Sequence, residues 1–252
     1  MIVDLVDQKV AAKQNYLLEK IVQIISFQKK GRVLDLGCGD GKTGKRLLDF
    51  GFEVEACDVN SNGFEFHDQI RFKQGNFDHP LPYADRAFDY VIFMEVIEHL
   101  YNPGFVISEV NRVLRDGGRL VISTPNILNI GSRFRFLFEG SFDFFREPPL
   151  DYSKCFPAAI QNMHVIPWRY QELEYLLKRN GLQVEKVDTD RQKWNFYFLY
   201  LLLMPILFLQ SRSREKRSRK KNSVSFARIN KILISKEILL GRHLILEVIK
   251  KS

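Results

Sequence analysis

The stretch Val33-Leu34-Asp35-Leu36-Gly37-Cys38-Gly39-Asp40-Gly41-Lys42-Thr43-Gly44 (VLDLGCGDGKTG) ends an apolar run on a carboxylate and then alternates glycines, and three glycine-loop readings compete for it. Gly41-Lys42-Thr43 resembles the end of a phosphate-binding loop, but that motif needs a glycine where this chain has Leu36. Gly39, Gly41 and Gly44 satisfy the dinucleotide spacing, with Asp58 placed 19 residues after Gly39 as a ribose acid. Asp35 separates the readings. A pyrophosphate at a helix N-terminus is served by N–H donors and positive dipole, and an added acid two residues before the first glycine opposes it.

A ligand that carries an ammonium group welcomes that acid. S-adenosylmethionine has an amino-acid end, a ribose and an adenine but no phosphate, so D-x-G-x-G-x-G suits it. The glycines let the backbone approach closely, and Asp35 offsets cationic charge.

The 252 residues suffice for one sizeable α/β domain with an appendage, and 45% hydrophobic with 27% charged residues is the composition of a packed chain. Cys38, Cys57 and Cys155 are odd in number and widely spaced, which suits neither a disulfide framework nor a CxxC site and implies a reducing compartment, the cytoplasm. Asp4 and Asp7 precede the first base, Lys9, so the N-terminus reads as an amphipathic helix rather than a secretory signal. The net charge of +8 is local: Arg212–Asn222 holds seven bases and one acid, and the remainder is close to balance at +2. A basic groove spread over the fold is therefore not expected.

From Arg32 to Pro125 short apolar runs alternate with helical patterns, which predicts βα units around a parallel sheet. Strands are expected at Arg32–Leu36, Glu53–Asp58, Ile70–Gln74, Phe88–Phe93, Arg119–Ser123, Gln183–Val187 and His243–Ile249. Asn102-Pro103 opens a helix that Asp116-Gly117-Gly118 stops, and Arg169–Asn180 forms another that ends at Gly181. Gly131–His164, rich in Phe and interrupted by Pro148, Pro149 and Pro157, reads as an irregular connection, either a lid or an aromatic cluster closing the core.

Five ordered motifs, VLDLGCGDG, VEACDVN, FDYVIFMEVIEHL, EVNRVLRDGGRLVISTPN and RYQELEYLLKRNGL, make the chain resemble the class I S-adenosylmethionine-dependent methyltransferases of the ubiquinone-biosynthesis-like branch. The resemblance covers Gly31–Gly181 and the final strand. It implies a Rossmann-like, doubly wound, seven-stranded, mostly parallel sheet with an antiparallel last strand and a hydrophobic and basic insertion before it. The methyltransferase domain is then 1–190 plus 242–252, and the insertion is 191–241. Carried over residue by residue, the resemblance implies that Asp35, Gly37, Cys38, Gly39 and Gly41 line the methionine end of S-adenosylmethionine, with Met94 beside it. Asp58 then accepts both ribose hydroxyls, and Asn76 and Phe77 hold the adenine where the family has Gly-Asp-Ala.

Methyl transfer from a sulfonium is an in-line displacement, so the protein supplies alignment and, for poor nucleophiles, a base or metal. Glu95, Glu98 and His99 are expected on one side of a helix just beyond the fourth strand. One reading makes them local: Glu95 borders the cofactor, Glu98 caps or pairs, and His99 packs. The other is a divalent-cation site completed by His164. The E-x-x-E-H pattern resembles one used with a further histidine by metal-dependent 2′-O-methyltransferases of small RNA and by some ubiquinone-type O-methyltransferases. Glu95, His99 and His164 are accordingly the candidate catalytic residues, the metal-free version being a histidine general base. The acceptor is expected to be a small-molecule or lipid-like hydroxyl, with small RNA, or a catalytically silent cofactor-binding scaffold, as the alternatives.

Trp194–Ser211 is 18 residues without a charge, at the lower edge of membrane-spanning length. A single crossing would strand the last strand on the wrong side of the bilayer. A peripheral anchor on the cytoplasmic face, followed by the bases of Arg212–Lys221 against anionic headgroups, avoids that conflict. The alternative is a buried helix packed on the core or on another subunit.

Overall fold

Along each strand successive side chains point to opposite faces, and the core of this chain divides accordingly. The computed structural model describes residues 16–145, 164–219 and 224–251. Strands β1 (Arg32–Leu36), β2 (Glu53–Asp58), β3 (Arg71–Gln74), β4 (Phe88–Met94), β5 (Leu114–Pro125), β6 (Leu182–Asp188) and β7 (His243–Lys250) form one sheet in the order β3-β2-β1-β4-β5-β7-β6. All neighbours are parallel except β7, which runs antiparallel to both β5 and β6. Val33, Ile92, Val121 and Ile245 face a helix over 16–26, α1, and α2 (Lys42–Asp49), burying Ile21, Ile25 and Leu47. Their neighbours Leu34, Val91, Phe93, Ile122 and Leu246 face α3 (Pro103–Val113) and, later in the chain, the helix Tyr170–Arg179. Asp35 shares the parity of Val33 and therefore points toward α2.

The helix α3 starts as the Asn-Pro pair dictates: Asn102 Oδ1 accepts from the Phe105 amide at 3.3 Å, and Pro103 fills the first helical position. It ends at Val113, three residues before Asp116. The Asp116-Gly117-Gly118 turn lies instead inside β5, where Gly117 has φ +73°. Leu114 pairs with Phe88 and Arg119 with Tyr90, so the residues between them loop out as an irregularity in the strand.

The segment expected to be irregular from Gly131 onward instead begins with a helix, α4 (Ile130–Glu139). Phe134, Phe136 and Phe138 alternate in sequence, which hides a 3.6-residue period. The helix is set by its ends: Asn129 Oδ1 accepts from the Ser132 amide at 2.9 Å, and Gly140 closes it at φ +69°. Cys155, Pro148, Pro149 and Pro157, like the N-terminal Asp4, Asp7 and Lys9, lie outside the described residues.

After α5 (Tyr170–Arg179) and β6, the chain leaves the sheet through the 3-10 turn Trp194–Phe196, α6 (Tyr197–Arg219), α7 (Val224–Leu233) and α8 (Lys236–Leu239). The two ends of this excursion are tied together: the Lys193 amide donates to Leu240 O at 2.7 Å and the Arg242 amide to Arg191 O at 3.0 Å. Its return half joins the core, with Ile238 fully buried and Ile229, Ile232 and Leu233 packed on the same cluster. The outgoing helix packs through one face only, Tyr200 being buried with Leu239 and Leu240; of an apolar window over Trp194–Ser213 long enough to cross a membrane, 6% is buried.

Candidate active site

Every residue of the candidate site sits at the carboxyl edge of the sheet, around the β1/β4 switch of strand order where open α/β sheets bind ligands. The loop after β1 is held by the Gly37 amide donating to Cys57 O at 2.7 Å. Gly37, Gly39 and Gly41 all have positive φ, at +74°, +52° and +81°. A β-carbon at Gly37 would lie 2.3 Å from Val96, and one at Gly41 2.4 Å from the Phe64 ring, so these two are glycine for packing as well as conformation. A β-carbon at Gly39 would meet nothing within 4 Å: this glycine faces open space, as a loop that admits a ligand must.

Asp35 is buried, and its Oδ2 accepts from the Gly44 amide at 3.0 Å. Gly44 is in the first turn of α2, whose own N-cap, Gly41, has no side chain to offer. Asp35 thus caps α2 from the neighbouring strand, a role invisible in the linear motif. Burial pushes its carboxyl up to about 7, partly opposed by the Gly44 bond and reinforced by the charges of Asp58 and Asp40. An adjacent cation reverses the cost of ionising it, so the site suits a ligand bearing an ammonium or sulfonium group.

At the end of β2, Asp58 Oδ2 accepts from the Gly39 amide at 2.9 Å and Oδ1 from the Val59 amide at 2.7 Å. Each carboxylate oxygen keeps a further lone pair, so the diol-binding capacity is not consumed. Cys38 is buried, with its thiol pushed well above the ordinary range by desolvation, which makes it a lining group and not a nucleophile. Asn76 is exposed after β3; its Oδ1 accepts from the Asp78 amide at 3.0 Å and keeps a second lone pair. The Phe77 side chain turns into the core, its ring edge-on to Phe93 at 6.4 Å, leaving only backbone for an adenine there. Met94 ends β4, half-buried and paired with Ser123.

The residues after Met94 do not continue as an α-helix. Glu95 takes left-handed φ +54°, and a 3-10 turn, Ile97–His99, follows. The expected one-sided array of Glu95, Glu98 and His99 is therefore broken at its first member. Glu95 Oε1 accepts from Ser123 Oγ at 3.0 Å, and Oε2 lies 3.6 Å from His243 Nε2. His243 in turn has Nδ1 3.0 Å from Asp190 Oδ2, making a row Glu95–His243–Asp190 whose histidine and aspartate side chains are buried and whose glutamate is half-buried. Neither His243 nor Asp190 stands out in the sequence. Burial first, and Glu98 second, push the Glu95 carboxyl up to about 8.

Glu98, His99 and His164 do come together: one ligand atom from each lies within 4.8 Å of the others, and the two imidazole centroids are 4.8 Å apart. The segment after His164 is latched onto the 3-10 turn, with the Val165 and Ile166 amides donating to Glu98 O at 2.7 and 3.0 Å and Trp168 Nε1 to Ile97 O at 3.3 Å. His164 Nδ1 is oriented by Phe144 O at 2.9 Å, which leaves Nε2 for the cluster, and burial lowers its pKa, keeping the ring neutral. Glu98 is 0% exposed; Oε2 accepts from Thr124 Oγ1 at 3.0 Å while the buried Oε1 has no hydrogen-bond partner. Burial also lifts the Glu98 carboxyl to about 8. An orphaned buried carboxylate oxygen beside two imidazoles fits a divalent cation held by N and O donors. Glu95 stands outside that cluster.

A family model described as a methyltransferase domain matches residues 10–187. A protein of Mycolicibacterium smegmatis named as an S-adenosylmethionine-dependent methyltransferase is 33% identical over 123 residues, covering 46% of this chain and 48% of the relative. A ubiquinone biosynthesis O-methyltransferase of Xanthomonas oryzae pv. oryzae is 31% identical over 103 residues, covering 38% and 43%. The chain thus matches a little under half the length of these curated relatives. A solved S-adenosylmethionine-dependent methyltransferase of Archaeoglobus fulgidus superposes with a TM-score of 0.58 over 94% of both chains at 18% identity, which establishes a common fold.

Proposed function

The chain belongs to the methyltransferase-domain family with the class I S-adenosylmethionine-dependent fold, and from that premise we propose that it transfers the methyl group of S-adenosylmethionine to a hydroxyl of a lipid, quinone precursor or lipid-linked saccharide. Asp35 and the open Gly39 loop receive the methionine end, Asp58 the ribose, and the backbone at Phe77 the adenine. The acceptor oxygen attacks the methyl carbon in line, the carbon–sulfur bond breaks, and S-adenosylhomocysteine leaves. The hydroxyl proton passes to a base.

The observation that carries the oxygen acceptor is the Glu98, His99 and His164 cluster, with an imidazole kept neutral beside a buried carboxylate. His164 Nε2 or His99 takes the proton as general base. A divalent cation held by Glu98, His99 and His164 would lower the pKa of the hydroxyl. The apolar helix α6 and the bases that follow it support a peripheral position on the cytoplasmic face of a membrane, where such acceptors reside.

The deciding experiment incubates the purified chain and methyl-labelled S-adenosylmethionine with membrane extract and, separately, with total RNA. Label entering the organic phase is the expected result. Label entering RNA alone, with steep salt dependence, reassigns the acceptor, and S-adenosylhomocysteine binding without any transfer makes the chain a cofactor-binding scaffold.

A further inference from the structure

Two helices leave the carboxyl edge of the sheet with apolar faces that nothing among the described residues covers. On α6, Phe198 is 80% exposed, and Leu201, Leu202, Ile206 and Leu209 are exposed with it. On α4, Leu137 and Phe138 are 72% and 79% exposed. On α6 these exposed side chains recur at helical spacing on one face, and an exposed apolar face of that kind marks an interaction site.

The two helices share one root. Ile130 of α4 packs with Tyr200 of α6 and with Leu239 and Leu240, and Gly131 lies so close to Phe196 that a β-carbon there would be 2.7 Å from its ring. Asp143 ties the same root with charge, its Oδ1 accepting from Arg135 Nε at 2.8 Å and its Oδ2 lying 2.6 Å from Lys193 Nζ. Phe136 stacks on Phe142 at 4.4 Å. The next residue after Asp143 is Phe144, whose carbonyl orients His164. The root of the helix pair and the histidine cluster are thus a few side chains apart.

We propose that α4 and α6 form one docking platform for an anionic lipid bilayer, with the histidine cluster opening beside it, so that an acceptor hydroxyl reaches the site from the plane of the membrane. The identity of the occupant follows from charge. The apolar part of α6 is followed in the sequence by Arg212, Arg214, Lys216, Arg217 and Arg219, and a run of bases next to an apolar helix is complementary to headgroup phosphates and not to a second copy carrying the same run. A crossing is ruled out by the sheet, because β6 before the helix and β7 after it are paired along their length. The helices therefore lie on or in one leaflet. The clause about the acceptor rests on the methyltransferase reading; the platform itself does not.

The test uses the full chain in flotation with phosphatidylcholine vesicles, with and without phosphatidylglycerol. The wild type should float with the anionic vesicles, and added salt should reduce but not abolish binding. Leu137→Asp/Phe138→Asp should lower the partition coefficient at least ~10-fold although α6 is untouched, as should Phe198→Asp/Leu202→Asp. Phe27→Asp, at an 81% exposed site after α1 on the opposite edge, should change nothing. Unchanged S-adenosylhomocysteine binding shows that each variant is folded; loss of that binding in the wild type would instead refute the methyltransferase reading. Wild-type flotation by the α4 variant overturns the platform. So does a wild type that ignores vesicles and is a dimer by light scattering, with the α4 variant a monomer, because the face is then covered by a second copy.

Discussion

Replacing Asp35 by Asn separates its two roles. The substitution keeps the size of the side chain and an oxygen that can accept from the Gly44 amide 3.0 Å away, so the α2 cap survives. It removes only the ionisation. In the folded chain the carboxyl titrates at about 7 against an ordinary 3.8. The folded state therefore binds the proton more tightly than the unfolded one, and stability falls as pH rises from about 4 to about 7, then stays level. Three pH units at about 1.36 kcal/mol each set an upper bound of about 4 kcal/mol on this loss. Asp35→Asn should match the wild type near pH 4 and exceed it by up to that amount at pH 8. Glu95 and Glu98, raised to about 8, titrate in both proteins, so the difference between the two denaturant curves isolates Asp35. The same variant should bind S-adenosylhomocysteine more weakly by about 2–5 kcal/mol, the usual effect of removing one partner of a buried charge pair. Calorimetry at pH 8 measures it. A stability difference that is absent at pH 8 would refute the buried-charge reasoning, and affinity within twofold of wild type would leave Asp35 as a cap alone.

Asp58→Ala should weaken S-adenosylhomocysteine binding by about 1–3 kcal/mol, read by the same calorimetry, since a charged acceptor is lost. Gly37→Ala should be destabilising by more than about 2 kcal/mol, because its new β-carbon meets Val96 while φ stays positive; Gly39→Ala should cost the fold about 1 kcal/mol and act mainly on ligand affinity, with thermal melts and calorimetry separating the two. Chelation should abolish turnover if a cation bound by Glu98, His99 and His164 is required, and leave it intact if a histidine is the base. His164→Asn should cost turnover about 100-fold or more in either case, and an activity close to wild type would remove the cluster from the chemistry.

The strands were legible because period-2 alternation is a local property: β1 and β2 have the bounds their apolar runs predict, and the others differ by one to a few residues at their ends. The outlier is β5, where the glycine turn read as a helix stop belongs to the strand. Glycine specifies a bend without saying which element bends. The helix α4 was missed for the complementary reason. Its Phe residues serve no buried face within the described residues, so they carry no core-facing period, and only Asn129 and Gly140 mark its limits.

The candidate site was legible where one loop holds several of its members and illegible where the sheet assembles it from distant strands. Asp35, the glycines and Asp58 follow one another along β1 and β2. Glu95 was found, but its surroundings were not, because a left-handed residue at a strand end turns it away from the helix its spacing suggests and toward β7. Its neighbour His243 comes from the start of β7, about 150 positions away, and that histidine's own partner, Asp190, from just after β6, about 95 positions away. The antiparallel last strand explains why they meet: β7 alone brings its amino end, His243, to the edge where the other strands bring their carboxyl ends, opposite Pro125 of β5. Moving a histidine into the catalytic edge by reversing one strand leaves no motif in the sequence, since the pairing that makes it meaningful spans the whole insertion between β6 and β7.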